Sequence, residues 1–107
     1  MSIKLMNAFS LNMVADGQFP VQPQFKEISI DQAKELLGEG FESCVGHADT
    51  ANLYTGLLGI SVPAVRATIS LKIGDIAVIG QYRGTRLPEG AHKIPEGATI
   101  QWIYLVV

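Results

Sequence analysis

The sequence predicts one α/β domain of α+β-like character over residues 1–107, with a mixed sheet of about five strands flanked by helices. Three observations carry this expectation. Ser29-Ile30-Asp31-Gln32 has the form of a capping box, a helix start set between short apolar runs. Residues 66–73 alternate strictly, with Ala67, Ile69, Leu71 and Ile73 on one side and Arg66, Thr68, Ser70 and Lys72 on the other. Residues 76–80 and the second half of 99–107 are apolar on both faces, which suits strands in the middle of a sheet.

Residues 3–8 form the first predicted strand, and it runs into Phe9-Ser10-Leu11-Asn12-Met13. Asn7, Ser10 and Asn12 bring hydrogen-bonding groups to that strand end and mark it as a ligand edge. Residues 14–28, with Gly17, Pro20, Pro23 and several glutamines, have the composition of an irregular connection or flap with room for a short extended segment. The capping box opens a helix over 30–37, and Gly38 and Gly40 end its apolar pattern. A short strand over 41–45 follows. Gly46-His47-Ala48-Asp49-Thr50 then leads into a second helix over 51–58 that stops at Gly59, which puts His47 near a helix N-terminus. The alternating strand 66–73 is expected to turn at Gly74-Asp75 as a two-residue hairpin and to return through strand 76–80. Strand 99–107 closes the chain.

At 107 residues, folding buries roughly two-thirds of the surface the unfolded chain exposes, so no disulfide or metal staple is required. A hydrophobic content of 48% with 17% charged residues describes a compact globular chain rather than a disordered one. The single cysteine, Cys44, lies in the apolar run Phe41-Glu42-Ser43-Cys44-Val45 and reads as a small buried hydrophobe in a reducing compartment. No segment approaches the roughly 18 apolar residues of a membrane span, and the N-terminus lacks a signal-peptide core, so a cytoplasmic location without a membrane partner is expected. The net charge of −2 hides an asymmetry: residues 1–50 hold seven acids and three bases, residues 51–107 three acids and five bases. A small basic pocket fits that distribution better than a track for long nucleic acid.

The stretch from Gln81 to Ala98 places Arg83, Arg86, Glu89, His92 and Lys93 on glycine and proline turns directly after an apolar strand. Within it, Arg86-Leu87-Pro88-Glu89-Gly90-Ala91 is echoed seven residues later by Lys93-Ile94-Pro95-Glu96-Gly97-Ala98. Each Pro-Glu-Gly suits a turn with proline second and glycine fourth. Polar groups on stiff turns suggest a site, and a pair of solvated turns is the alternative. No metal-ligand spacing, no phosphate-cradling glycine loop and no G-x-S-x-G elbow occurs, so no metal and no cofactor is expected. What remains is a histidine, one or two arginines and a glutamate, enough for acid–base chemistry at a phosphodiester. In RNA the attacking 2′-OH is already in place, so a protein need only align it, stabilise the phosphorane and protonate the departing 5′ oxygen. His47 can supply that proton. Helix N–H groups attract the phosphate, while the same dipole opposes a cationic imidazole, which the phosphate and Glu89 offset. Arg86 or Arg83 can fork onto the phosphate oxygens. His47 as a capping or packed residue, and Arg86 with Glu89 as a surface ion pair, are the competing readings.

Three ordered signatures, Asn7-Ala8-Phe9-Ser10-Leu11-Asn12-Met13, Gly46-His47-x-x-Thr50 and Arg86-Leu87-Pro88-Glu89-Gly90, together resemble the type III anti-CRISPR ring nucleases, a family of small viral and mobile-element proteins with host-encoded relatives. The resemblance implies a homodimer that binds cyclic tetra-adenylate across its two-fold axis and cleaves it, without metal, to linear di-adenylates ending in a 2′,3′-cyclic phosphate. It assigns His47 as general acid, Arg86 as the arginine that stabilises the transition state, and Glu89 as completing the site, in cis or from the opposite subunit. Asn7, Ser10 and Asn12 match positions near the bound ring, with Thr50, Gln81 and Arg83 as further candidate ligand-binding residues. Arg83 and the second Pro-Glu-Gly have no viral counterpart in that pattern. A protein that sequesters a cyclic or linear oligonucleotide without cutting it, and a structural or regulatory dimer, are the other classes the sequence admits.

Overall fold

Apolar residues on both faces of β4 (Ile76–Arg83) and β5 (Thr99–Val106) build the centre of the sheet, where the two strands pair antiparallel over eight registered positions, from Ile76↔Val106 to Arg83↔Thr99. The computed structural model describes residues 3–88 and 90–107. Around this ladder lie β1 (Ile3–Met6), parallel to β4; β3 (Phe41–Ser43), parallel to β1; and β2 (Gln24–Ile28), antiparallel to β5. The sheet order is β2-β5-β4-β1-β3. A short 3-10 helix (Leu11–Met13) follows β1, and two α-helices complete the chain, α1 (Ile30–Gly38) and α2 (Ala48–Leu58). The predicted α+β organisation with a five-stranded mixed sheet is what the structure shows.

Both helices pack on one face of the sheet. Ala33 and Leu37 of α1 and Ala51, Tyr54 and Leu58 of α2 meet Leu5, Val78 and Trp102 there. On the opposite face Met6, Ala77, Ile79 and Leu105 are covered by irregular chain, chiefly Phe9, Met13, Val21, Ile69 and Leu71. Local chemistry sets the helix ends. The Gln32 N–H donates to Ser29 Oγ (3.1 Å) and the Ser29 N–H to Gln32 Oε1 (2.9 Å), the predicted capping box. Cys44 is buried, and burial, with the Glu42 charge adding to it, pushes its thiol up so that it stays protonated and inert. Lys4 meets Glu42 across the β1–β3 pair at 3.3 Å, a solvated contact contributing about 0.2–1 kcal/mol.

The structure corrects the sequence expectation at four places in the sheet. Residues 66–73 are not a strand. Their one ladder contact is an isolated bridge at Leu71, whose N–H donates to the Met13 carbonyl (2.7 Å) and whose carbonyl accepts from the Ala15 N–H (2.8 Å). Leu71 is fully buried, but Ala67 is exposed and Ile73 is 62% exposed, so the alternation does not report a buried face. Gly74-Asp75 is accordingly not a hairpin between paired strands. The turn is closed by Lys72 and Asp75 and fastened to Val107 (Gly74 N to Val107 O, 2.7 Å). The fifth strand comes instead from the connection, as β2, an edge strand with little apolar content. β4 also runs three residues past Gly80, so Gln81 and Arg83 are strand residues rather than turn residues.

Tyr54 joins the layers. Fully buried on α2, it donates its hydroxyl hydrogen to the Gly80 carbonyl of β4 and tilts against Trp102 at 5.1 Å between ring centres. A Cβ at position 80 would overlap the Tyr54 ring and approach Trp102 to 2.9 Å. Tyr54→Phe is therefore expected to lower unfolding stability by about 1–3 kcal/mol by orphaning a buried acceptor. Gly80→Ala is expected to cost about 1–3 kcal/mol by overpacking. Urea denaturation of both variants checks this, and unchanged midpoints would show that α2 is held by other contacts.

Candidate functional site

The three parallel strands β1, β4 and β3 end at the same edge of the sheet, and the carboxyl ends of strands in such sheets are where ligands are usually received. From β1 the chain delivers Asn7 to Ser10, from β3 it delivers Gly46 and His47 into α2, and from β4 it delivers Gln81 to Arg86. Candidate residues from distant parts of the sequence thereby converge on one end of the molecule.

His47 is the N-cap of α2. Its backbone is extended (φ −115°, ψ 127°), its carbonyl accepts from the Ala51 N–H (2.9 Å), and its side chain makes no capping hydrogen bond. The residue is exposed, so His47 occupies the capping position through its backbone while its imidazole is neither packed nor engaged in a cap. The first-turn N–H groups of this 11-residue helix thus lack a side-chain cap and carry the positive end of its dipole. Opposite them runs the loop after β4. Together His47, Asp49 and Thr50 of α2, Tyr82 of β4, and Gly84, Thr85, Arg86 and Leu87 of the loop line an open cleft of about 440 Å³. The structure therefore brings His47, Thr50 and Arg86 together. Glu89 lies outside the described residues.

The loop is shaped by its own hydrogen bonds. Tyr82 Oη donates to the Thr85 carbonyl (2.7 Å), which folds the chain back as it leaves β4. The two Pro-Glu-Gly turns close differently from the sequence expectation, with the Ala91 N–H on the Pro88 carbonyl (3.2 Å) and the Ala98 N–H on the Pro95 carbonyl (3.0 Å). Proline is thus first and glycine third in each. Gly97 supplies the positive φ (+81°) that a type II turn needs at that position.

Gln81 and Arg83 point away from this cleft, because strand alternation puts them on the face opposite Tyr82. With the Gln81 amide turned to satisfy both groups, its oxygen accepts from Arg83 Nε (3.2 Å) and Nη2 (2.9 Å). Gln81 and Asn7 line a second cavity of about 300 Å³ with Ala8, Phe9, Phe25, Ile79 and Ile103, on the helix-free face. Phe9 and Phe25 meet edge to face at 5.5 Å. Ser10 and Asn12 stand apart from both, hydrogen-bonded to each other (2.5 Å) beside a hollow lined by Met13, Ala67, Thr68 and Ile69. Eight of the nine candidate residues are therefore distributed over three places, and the ninth, Glu89, lies outside the described residues.

Sequence reasoning missed Asp49 and Tyr82. Asp49 was visible as an acid in the first turn after His47, and it brings a carboxylate into a cleft otherwise suited to anions. Tyr82 would have been found by continuing the strand past Gly80. Arg66 was not singled out either, yet its Nε lies 3.4 Å from the Gly46 carbonyl, next to His47. Among the described residues no three His, Cys, Asp or Glu side chains gather as metal ligands, and no helix is long and apolar enough to cross a membrane.

Comparison with known proteins follows the same outline. Protein 26 of the Sulfolobus islandicus filamentous virus is 42% identical over 87 residues, covering 80% of this chain and 71% of that protein. The ORF117 protein of the Acidianus two-tailed virus is 31% identical over 70 residues, 63% of this chain and 59% of its own length. In three dimensions, B116 of Sulfolobus turreted icosahedral virus superposes over the whole of both chains with a TM-score of 0.81 at 25% identity. These relatives are all proteins of archaeal viruses. The STIV B116-like family signature matches residues 3–99, and the chain belongs to that family.

Proposed function

We propose that this protein is a metal-independent ring nuclease that binds cyclic tetra-adenylate across a homodimer in the host cytoplasm and cuts it to di-adenylates with 2′,3′-cyclic phosphate, switching off type III CRISPR signalling. One observation carries the reading: an exposed histidine at the uncapped start of α2 and an arginine on the facing loop line the same cleft. A phosphodiester seated there meets the α2 N–H groups on one side and the Arg86 guanidinium on the other. The adjoining 2′-OH attacks phosphorus, forming the O2′–P bond, and gives its proton to solvent. The P–O5′ bond breaks as His47 donates a proton to the departing oxygen. Charge on the phosphorane is offset by Arg86 and the helix dipole, and Glu89 completes the site from this chain or its partner.

The size of the cleft supports the dimer. At about 440 Å³ it lies within the range that takes a drug-sized ligand, which is less than a ring of four nucleotides fills. Two copies related by a two-fold axis would present two such clefts to opposite phosphodiesters of a ring that shares that axis. Asn7, Gln81, Ser10 and Asn12, which do not share the His47 cleft, are then contacts for other parts of the ring. Thr50 stands beside the scissile phosphate.

Incubation of the purified protein with cyclic tetra-adenylate in EDTA, with products resolved by mass spectrometry, tests the proposal. Di-adenylate is the expected product. His47→Ala is expected to slow turnover by about 10²- to 10⁴-fold with binding largely retained, and Arg86→Ala by about 10²- to 10³-fold. An intact ring retained on the protein would identify a sequestering protein instead. Neither binding nor cleavage would leave a structural or regulatory dimer. Light scattering of the free protein should show a dimer, and a monomer that stays monomeric with ligand would remove the shared-axis arrangement.

A further inference from the structure

The loop that carries Arg86 touches α2 at a second place. A Cβ built on Gly56 would collide with the His92 carbonyl oxygen and stand 3.0 Å from the His92 Cβ and 3.1 Å from its carbonyl carbon. Position 56 is seven residues beyond Asp49, so the two share a face of α2 two turns apart, about 10.5 Å along the axis. The loop therefore lies lengthwise on the helix. Arg86 and Leu87 face its first turn, and the backbone of His92 rests on its third.

A glycine in the interior of an 11-residue helix calls for an explanation, since it weakens the helix relative to alanine. The helix C-cap, which is Gly59, does not supply one. Contact with the His92 backbone does. At the other end the loop re-enters the sheet through the Pro95–Ala98 turn into β5, and at its start it is folded back by the Tyr82–Thr85 hydrogen bond. Between those two anchors, Gly56 is the one position where the described loop meets α2 too closely for any side chain.

We infer that Gly56 is a positioning residue: by omitting a side chain it seats the His92 backbone on α2, and this seat holds Arg86 across the cleft from His47. The catalytic consequence rests on the function proposed above, while the seat itself does not. Gly56 touches no reacting atom and acts only through the loop.

Hydrogen exchange and steady-state kinetics on Gly56→Ala test this together, with Asn52→Ala, an exposed position on the same helix, as control. Propensity alone would make Gly56→Ala a helix-stabilising change. The seat predicts a different pattern. Exchange in residues 84–98 rises at least about tenfold while β4, β5 and α2 keep their protection, and with cyclic tetra-adenylate kcat falls about 10- to 100-fold at little-changed KM, the scale of a small misplacement of a catalytic group. Asn52→Ala should alter neither. Unchanged loop exchange in Gly56→Ala overturns the seat, and a loosened loop with full kcat overturns its role in holding Arg86. If the wild-type protein cleaves nothing but Gly56→Ala still frees the loop, the seat stands and the ring-nuclease reading fails.

Discussion

The hydrogen bond from Tyr54 to the Gly80 carbonyl is the constraint on which the rest depends. It ties α2 to β4 at a depth where no water competes, and the tilted Trp102 ring fixes the side chain that makes it. Both segments that leave this joint carry site residues. Seven residues back along α2 is His47, and six residues on from Gly80 is Arg86. A buried donor that has one acceptor within reach can be satisfied by one arrangement of helix and strand only, so this contact confers specificity as well as stability. Burial also raises the pKa of the Tyr54 hydroxyl above its ordinary range, which keeps it protonated as a donor.

Much of the architecture was legible in the residues because much of it is local. The α1 start could be named from Ser29 and Gln32 since a capping box is built from residues three apart, and β4 and β5 are apolar enough to announce themselves. What failed was pairing. Residues 66–73 alternate as a strand should, but a ladder needs a neighbour, and only Leu71 finds one. β2 has a partner and almost no signal, because at the rim of a sheet the backbone ladder to β5 suffices and Gln24, Lys26 and Glu27 stay in solvent. Of the site, His47, Thr50 and Arg86 were readable because turns and helix starts place them. Tyr82 was not, because its role depends on how far β4 continues.

The sheet divides labour between its two kinds of pairing. The antiparallel ladder of β4 and β5 is the longest pairing in the sheet, while the parallel strands β1, β3 and β4 deliver polar residues to one edge. On the helix side that edge forms the cleft with His47 and Arg86. On the other side it forms the cavity with Asn7, Gln81 and two phenylalanines. The rows of apolar side chains within the sheet can therefore stay fixed while the loops beyond the strand ends change, which is how one scaffold keeps its stability as its ligand chemistry is altered.

β2 has a consequence of another kind. It is an outermost strand, and one side of its backbone has no partner strand among the described residues, the template on which a second sheet could grow. Lys26 and Glu27 occupy its middle, one toward each side of the sheet, so a neighbouring strand would have to cover a charge whichever way it docked. The two side chains that hide this strand from a hydrophobicity pattern are the same ones that resist fibre-like accretion when the protein is abundant.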